Sequence, residues 1–203
     1  MWGAEPAQVA DRRLGLDAEQ RGYETSHCRP TDWSRATVST DAIVILKADH
    51  KELRKLFSQF QKAGDNAHKA KQDLADRILE ALTVHTYIEN EAMYPVTREL
   101  LPELEHDILE SYEEHHVADV LCMELAMMKS TDERFDAKMT VLIESVSHHI
   151  DEEEQDWFPQ VRAGLGRKKL SEIGERMLEM KKTAPRRPSQ PGALKKVVDA
   201  VIA

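Results

Sequence analysis

Four stretches of the chain carry apolar residues at alternating steps of three and four, which is the spacing of one face of an α-helix. The stripe of the first stretch consists of Ile43, Leu46, His50, Leu53, Phe57 and Phe60. The other stretches span about residues 70–95, 102–125 and 133–157, and the connections between them are short. Helices joined by short loops pack antiparallel to their neighbours. The sequence therefore predicts an all-α fold, an up-down-up-down four-helix bundle.

Local signals indicate where these helices begin and end. Ser39 or Thr40 is expected to be the N-cap of the first helix, which Gly64 follows. Pro95 is expected to end the second helix, because a proline interrupts the helical hydrogen bonds. Pro102 suits the first position of the third helix.

The chain divides into four regions by composition and period. The bundle occupies a domain at residues 39–165, and an accessory helix within residues 166–183 is expected to pack outside it. Residues 1–38 show no sustained period and are predicted to form a flexible N-terminal arm. Residues 184–203 are basic and contain several prolines, which predicts a linker and tail.

Composition limits the classes of function. The formal net charge of −9 is unfavourable for binding nucleic acid. No apolar run approaches the roughly 20 residues of a membrane-spanning helix, and the first thirty residues lack the apolar core of a signal peptide. The cysteines, Cys28 and Cys122, are too few for a disulfide framework and suit a reducing compartment. We therefore expect a cytoplasmic protein without a membrane or nucleic-acid partner; the sequence identifies no protein partner.

Each apolar stripe is interrupted by a histidine, and the interruptions form an internal repeat. The four histidines are His50, His85, His115 and His149. The second and fourth stretches add a glutamate four residues after their histidine, Glu89 and Glu153, and a proline six residues after that. The chain is therefore two helical hairpins, each with a histidine followed about 35 residues later by His-x-x-x-Glu.

This repeat predicts a metal centre. Residues i and i+4 lie on one face of a helix, about 6 Å apart along its axis, so each His-x-x-x-Glu pair can present a nitrogen and an oxygen to one ion. A bundle brings the four histidines and two glutamates to one buried layer, where polar groups must be paired. Imidazole and carboxylate favour iron, manganese or zinc over calcium. If both glutamates bridge two ions, an oxo, hydroxo or water bridge still leaves an open position on each, which is typical of a reactive site.

The pattern resembles the hemerythrin HHE cation-binding domain over about residues 40–165. The resemblance implies a four-helix bundle that holds two iron ions, oxo- or hydroxo-bridged. It implies terminal ligands at His50, His85, His115 and His149. It also implies bridging carboxylates at Glu89 and Glu153.

The chain departs from the oxygen-carrying members of that family. Those carriers have a fifth histidine four residues after the histidine of the third helix, where this chain has Asp119. The carboxylate that they have five residues after the last histidine corresponds to Glu154. Asp119 could ligate a metal, hold a water, or accept a hydrogen bond from a ligand histidine. The chain is more similar to the four-His, two-Glu members, which include di-iron proteins that repair iron centres after nitrosative stress.

The resemblance implies a protein that binds, senses or responds to a small oxidant, namely oxygen, nitric oxide or peroxide. Three alternatives stay open: a di-iron enzyme that decomposes peroxide or reduces nitric oxide, an iron-donating repair protein, and a metal-free interaction bundle. Whether the protein is an enzyme is not decided by the sequence.

Other side chains near these motifs are expected to have structural roles. His116 and His148 adjoin ligand histidines but point about 100° away from them. Trp157 and Phe158 are expected to close the end of the bundle. We expect surface positions for His27, His68 and His106, and packing roles for Tyr87, Tyr112 and Cys122.

Overall fold

The structure, a computed structural model, describes residues 40–188. Within this range the chain is almost entirely helical and contains no strand. The elements in chain order are α1 Ala42–Lys62, α2 His68–Ile88, a first π-helical turn Glu89–Met93, α3 Tyr94–Leu100, a 3-10 turn Pro102–Leu104, α4 Glu105–Ala126, α5 Phe135–Glu152, a second π-helical turn Glu153–Trp157 and α6 Phe158–Thr183. None of the helices described is long and apolar enough to cross a membrane. The predicted arm, residues 1–38, and the end of the predicted tail, residues 189–203, lie outside the described residues.

The four helices that carry the histidines of the repeat, α1, α2, α4 and α5, pack as two antiparallel hairpins. α1 packs against α2, and α4 packs against α5. α2 also contacts α4, and α1 contacts α5, so the hairpins close into a bundle. The stripe of the first helix is buried from Ile43 to Phe60, as its period predicts. The predicted all-α four-helix bundle is therefore confirmed.

The N-cap of α1 differs from the prediction. The side chain of Asp41, rather than that of Ser39 or Thr40, accepts a hydrogen bond from the backbone N–H of Val44 at 3.2 Å. Thr40 Oγ1 instead lies 2.7 Å from Ser171 Oγ. The capping prediction was wrong because tertiary contact with α6 engages the threonine, and because an aspartate can cap equally well.

Two π-helical turns carry the chain past Pro95, which was expected to end the second helix, and past Pro159. A proline ring clashes with the carbonyl four residues before it in an α-helix. In each hairpin the wider turn precedes the proline: Tyr94 N–H bonds to the Glu89 carbonyl, and Phe158 N–H bonds to the Glu153 carbonyl. Helical structure therefore continues beyond Pro95, and the predicted end of the second helix there was wrong.

α6 contains the predicted accessory helix and packs against α1. Gly166, with a φ of 68°, interrupts the helical conformation and separates the accessory part from the part that follows the second π turn. Leu170 and Ile173 of the accessory part are buried. A Cβ atom at Gly174 would lie 1.7 Å from the carbonyl oxygen of Thr40, so only glycine permits this close approach to the start of α1.

Two apolar clusters fill the bundle, one towards the α1–α2 and α4–α5 loops and one towards α6. The chain passes from one cluster to the other within α1, α2 and α4, and between α5 and the second π turn; on α1, for example, Leu46 belongs to the second cluster and Leu53 to the first. His50 lies between these two leucines. The polar layer of the repeat thus separates the two halves of the core, and apolar side chains flank it on both sides.

Candidate metal centre

The six side chains of the repeat come together in the middle of the bundle. Each histidine belongs to a different long helix, and the two glutamates begin the two π-helical turns. Their exposed fractions lie between 0% and 4%. The residues of this buried layer are His50, His85, Glu89, His115, His149 and Glu153.

One half of the layer is formed by α1 and the end of α2. His50 Nε2 lies 3.2 Å from His85 Nε2 and 3.3 Å from Glu153 Oε2. His85 Nε2 lies 3.1 Å from Glu89 Oε2. One potential ligand atom from each of these residues lies within 4.8 Å of the others, which is compact enough for one metal ion.

The other half is formed by α4 and the end of α5. His115 Nε2 lies 3.0 Å from His149 Nε2 and 3.5 Å from Glu89 Oε2. His149 Nε2 lies 3.7 Å from Glu153 Oε2. Glu89 thus belongs to a second compact group with the two histidines. Both glutamates face both halves, as two bridging carboxylates would.

Three of the four histidines make a hydrogen bond through their outer nitrogen, and His85 Nδ1 lies near a carboxylate without bonding to it within residues 40–188. Two of the hydrogen bonds cross between hairpins. His50 Nδ1 donates to Glu154 Oε1 at 2.8 Å, and Arg54 donates to the same carboxylate oxygen at 2.8 Å. His115 Nδ1 donates to Asn90 Oδ1 at 2.9 Å. Glu154 and Asn90 each follow a glutamate of the repeat, so these two contacts are equivalent in the two halves.

The other two outer contacts stay within a hairpin. His149 Nδ1 donates to Glu114 Oε2 at 2.7 Å. His85 Nδ1 lies 3.6 Å from Asp49 Oδ2, and Lys181 holds both oxygens of Asp49, at 2.6 and 2.5 Å. Asp49 and Glu114 occupy equivalent positions, each one residue before a histidine of the repeat.

For His50, His115 and His149, these partners determine which nitrogen of the ring carries the proton. An acceptor at Nδ1 favours the Nδ1–H tautomer, and the lone pair of Nε2 then points into the layer. The lone pairs of His115 and His149 would face each other at 3.0 Å, and those of His50 and His85 at 3.2 Å. A cation between the nitrogens turns this repulsion into coordination.

The carboxylates show the same need for a cation. Both oxygens of Glu89 and Oε2 of Glu153 are buried and have no hydrogen-bond partner within residues 40–188. Burial and the neighbouring Glu153 raise the pKa of Glu89 well above its usual range. Burial and His149 hold the pKa of His115 well below its usual value, so that ring stays neutral. Buried charges are stable only when paired or bound to metal, and this donor set fits iron, manganese or zinc.

Comparison with known proteins agrees with this geometry. The family model for the hemerythrin HHE cation binding domain matches residues 41–161. The chain belongs to this family. The predicted resemblance is thereby confirmed, and the two buried groups of this HHE domain could hold metal ions.

A solved structure shows the same fold. It is the crystal structure of a hemerythrin HHE cation binding domain-containing protein from Mycobacterium kansasii, to which the chain is 22% identical with a TM-score of 0.60. The alignment covers 70% of this chain and 86% of that chain. No curated protein compared with the chain matches it.

Two aromatic rings at equivalent positions cover the layer of the HHE domain. Phe158 stacks on His50 with 5.7 Å between ring centroids, and Tyr94 stacks on His115 at 5.4 Å. The Tyr94 hydroxyl also donates to Glu153 Oε1 at 3.1 Å, a contact that Phe158 cannot make. Trp157 packs edge-on against Tyr94. Sequence reasoning did not assign Tyr94 to the site, although the repeat aligns it with Phe158.

The remaining histidines of residues 40–188 lie away from the layer. His106 and His148 are exposed by 89% and 70%, respectively. His68 lies at the surface, where its Nδ1 is 3.1 Å from the Ser130 carbonyl oxygen. His116 is partly buried and belongs to neither buried group. His27 lies outside the described residues.

Asp119 lies one turn beyond His115 and belongs to neither buried group. It is partly buried, and burial raises the pKa of its carboxyl to about 6. The nearby His116 opposes this shift only in part. The side chain is thus placed where its charged form is unfavourable, and its role as an additional ligand stays a prediction.

Asp119→Asn is expected to stabilise the protein above pH 6. Because the pKa of this carboxyl is raised in the fold, the protein loses stability as the pH rises from the unfolded pKa through the folded pKa. A shift of the pKa from 3.8 to about 6 is equivalent to about 3 kcal/mol at most. Urea denaturation of both proteins should show a difference that grows between pH 4 and 6.5 and then stays constant. A constant difference would contradict this view, and reduced metal content in the variant would make Asp119 a ligand.

Proposed function

We propose that this HHE domain holds two iron ions and that it binds or responds to a small oxidant: oxygen, nitric oxide or peroxide. One observation carries the proposal. Four imidazole Nε2 atoms and two carboxylates converge in one buried layer. Three of the four carboxylate oxygens have no hydrogen-bond partner among the described residues 40–188. Without cations such a layer is strongly destabilising.

The ligand assignment follows from the two halves of the layer. We infer that His50 and His85 bind one iron and that His115 and His149 bind the other. Glu89 and Glu153 would bridge the pair, because Glu89 belongs to both buried groups and Glu153 lies near a histidine of each half. A bound iron pair would supply the redox chemistry that the protein side chains lack.

A small apolar cavity favours a ligand of very few atoms. It lies between α2, α4 and α5, has a volume of about 10 Å³, and includes Leu82, Ala118 and Val146 in its lining. Three ligand histidines, His85, His115 and His149, also line it. A space of this size holds roughly one water-sized molecule. The cavity itself thus suits a ligand no larger than a diatomic molecule.

Tyr94 supplies the site with a proton donor. Burial and the charge of Glu153 raise the pKa of its phenol well above the usual value, so the hydroxyl keeps its proton. That hydroxyl lies 3.1 Å from Glu153 Oε1 and 3.3 Å from His115 Nε2. A hydroxyl that keeps its proton can donate a hydrogen bond to an oxygen atom of bound peroxide, and this placement favours peroxide decomposition as the second candidate function.

Iron content and the optical spectrum of the aerobically purified protein test the proposal. We expect close to two irons per chain and a near-ultraviolet charge-transfer band that bleaches on reduction with dithionite. Less than one metal ion per chain, with the six ligands intact, would overturn it. Repeated turnover of added peroxide would establish the enzyme, whereas a stoichiometric reaction would leave a binding or sensing protein. Rapid loss of iron to a chelator would favour the iron donor.

The location proposed for this function is the cytoplasm. Cys122 is a free, buried thiol. Its burial raises the pKa far above the usual value, so it stays in the unreactive thiol form. This agrees with a packing role in a reducing compartment.

A further inference from the structure

A groove leads from the surface of the bundle to the candidate metal centre. It lies between α4 and the end of α5 with the second π turn, and its volume is about 170 Å³. At its inner end it is lined by His149 and Glu153, both of the buried layer. At its outer end its lining includes the exposed side chains of Asp107 and Glu110. The groove therefore extends from exposed side chains of the surface to two residues of the buried layer.

The charge of the groove is entirely acidic. Besides Glu153, its lining includes the carboxylates of Asp107, Glu110, Glu114, Glu152 and Asp156. Neither lysine nor arginine is among the residues that line it. Such a concentration of one sign of charge in a cleft raises the local concentration of oppositely charged ions and their rate of association.

The inner end of the groove offers an unsatisfied ligand atom. Glu153 is 2% exposed, and its Oε2 atom has no hydrogen-bond partner within residues 40–188. This observation is independent of the acidic rim, and it points to a cation, since a buried carboxylate oxygen without a donor is otherwise costly.

At the mouth of the groove, two of its lining residues, Glu114 and Glu152, belong to a further compact set of ligand types that His148 completes from beside the groove. Glu114, His148 and Glu152 each offer an atom within 4.8 Å of the others. His148 Nε2 lies 3.2 Å from Glu152 Oε1. Glu114 also accepts the hydrogen bond from His149 Nδ1, so one carboxylate connects the mouth with the buried layer.

The larger groove on another face lacks these properties. Its volume is about 370 Å³, and Arg77, Lys181 and Arg186 are among the residues that line it. Lys181 already holds the Asp49 carboxylate there, and the lining includes none of the six ligands. These three basic side chains pair with Asp49, Glu52 and Glu80, so that groove has no excess of negative charge to attract a divalent cation.

We propose that the acidic groove is the route by which divalent metal ions reach the buried centre, with Glu114, His148 and Glu152 as a transient binding site at its mouth. The proposal rests on the proposed function, because it assumes that the six buried ligands bind metal. It assigns a role in metal loading to carboxylates that are not among the six ligands of the centre.

The test measures the rate of metal uptake. The full-length apo-protein, shown to be folded by circular dichroism, is mixed rapidly with Co²⁺, and the visible absorbance of the bound ion is followed. The variant Asp107→Asn, Glu110→Gln, Asp156→Asn removes three charges from the rim. The matched control Asp65→Asn, Asp73→Asn, Glu133→Gln removes three exposed charges elsewhere. We expect uptake by the rim variant to be slower by roughly tenfold at low salt, with little change for the control.

Three results separate the possibilities. The difference between the rim variant and the unsubstituted protein should shrink at high salt, because salt screens exposed charges, and the final amount of bound Co²⁺ should be the same. Equal rates for both proteins, or equal slowing by both triple variants, would overturn the groove as the route. If the unsubstituted protein binds no metal at all, the proposed function itself fails.

Discussion

Replacing Glu89 by glutamine is expected to reduce the bound metal from two ions per chain to one or none. Glu89 Oε2 lies 3.1 Å from His85 Nε2 and 3.5 Å from His115 Nε2, so a single carboxylate serves both halves of the layer. An amide has nearly the same shape but is neutral and a weaker ligand. The site therefore loses one negative charge and one of its two bridging carboxylates. The loss of bound metal should exceed the loss caused by replacing one terminal histidine.

Metal analysis and the near-ultraviolet band measure this effect. The matched control is Glu91→Gln, because Glu91 lies in the same π-helical turn but is exposed. The control should retain the metal and the spectrum of the unsubstituted protein. Circular dichroism should show that both variants keep their helices. Two tightly bound ions in the Glu89→Gln protein would contradict the bridging role.

The fold and the ligand layer could be predicted because both depend on patterns within single helices. A period of three and four specifies the buried face, and a histidine on that face is carried into the core with it. His149 and Glu153, for example, are four residues apart on one stripe, and both are buried. The repeat then predicts that two such stripes meet in the bundle, and this prediction does not depend on how the hairpins dock.

The outer partners could be predicted only in part, because two of them depend on that docking. Asp49 and Glu114 precede a ligand histidine in sequence, and each contacts the other histidine of its own hairpin. Glu154 contacts His50 across the bundle, and no local period indicates this pairing. Alignment of the two hairpins supplies a signal, since Glu154 and Asn90 both follow a glutamate of the repeat.

The helix ends were the least predictable feature. The rule that a proline ends a helix assumes α-helical hydrogen bonds, whereas Tyr94 and Phe158 bond to carbonyls five residues earlier. The wider turns place a glutamate of the layer at the start of each π segment. Such turns occur frequently at functional sites, so the local departure from α geometry and the metal chemistry have a common location.

Removal of the metal with a chelator is expected to lower the melting temperature by roughly 10 °C or more. An ion present at a thousand times its dissociation constant stabilises the folded state by about 4 kcal/mol. For a chain of this size each kcal/mol shifts the melting temperature by roughly 2–4 °C. The ligand layer adds a second cause, because without cations the lone pairs of four imidazoles and two carboxylates are left facing one another.

The Glu89→Gln protein distinguishes a metal effect from a general effect of the chelator. Its apo form should melt no lower than the apo form of the unsubstituted protein, since removing an uncompensated buried charge is neutral or stabilising. Its melting temperature should respond much less to the chelator. An unchanged melting temperature for the unsubstituted protein would instead support the metal-free interaction bundle. In that case protons bound by the side chains of the layer would replace the metal ions, and Glu89 would be neutral, as the raised pKa of that buried carboxyl allows.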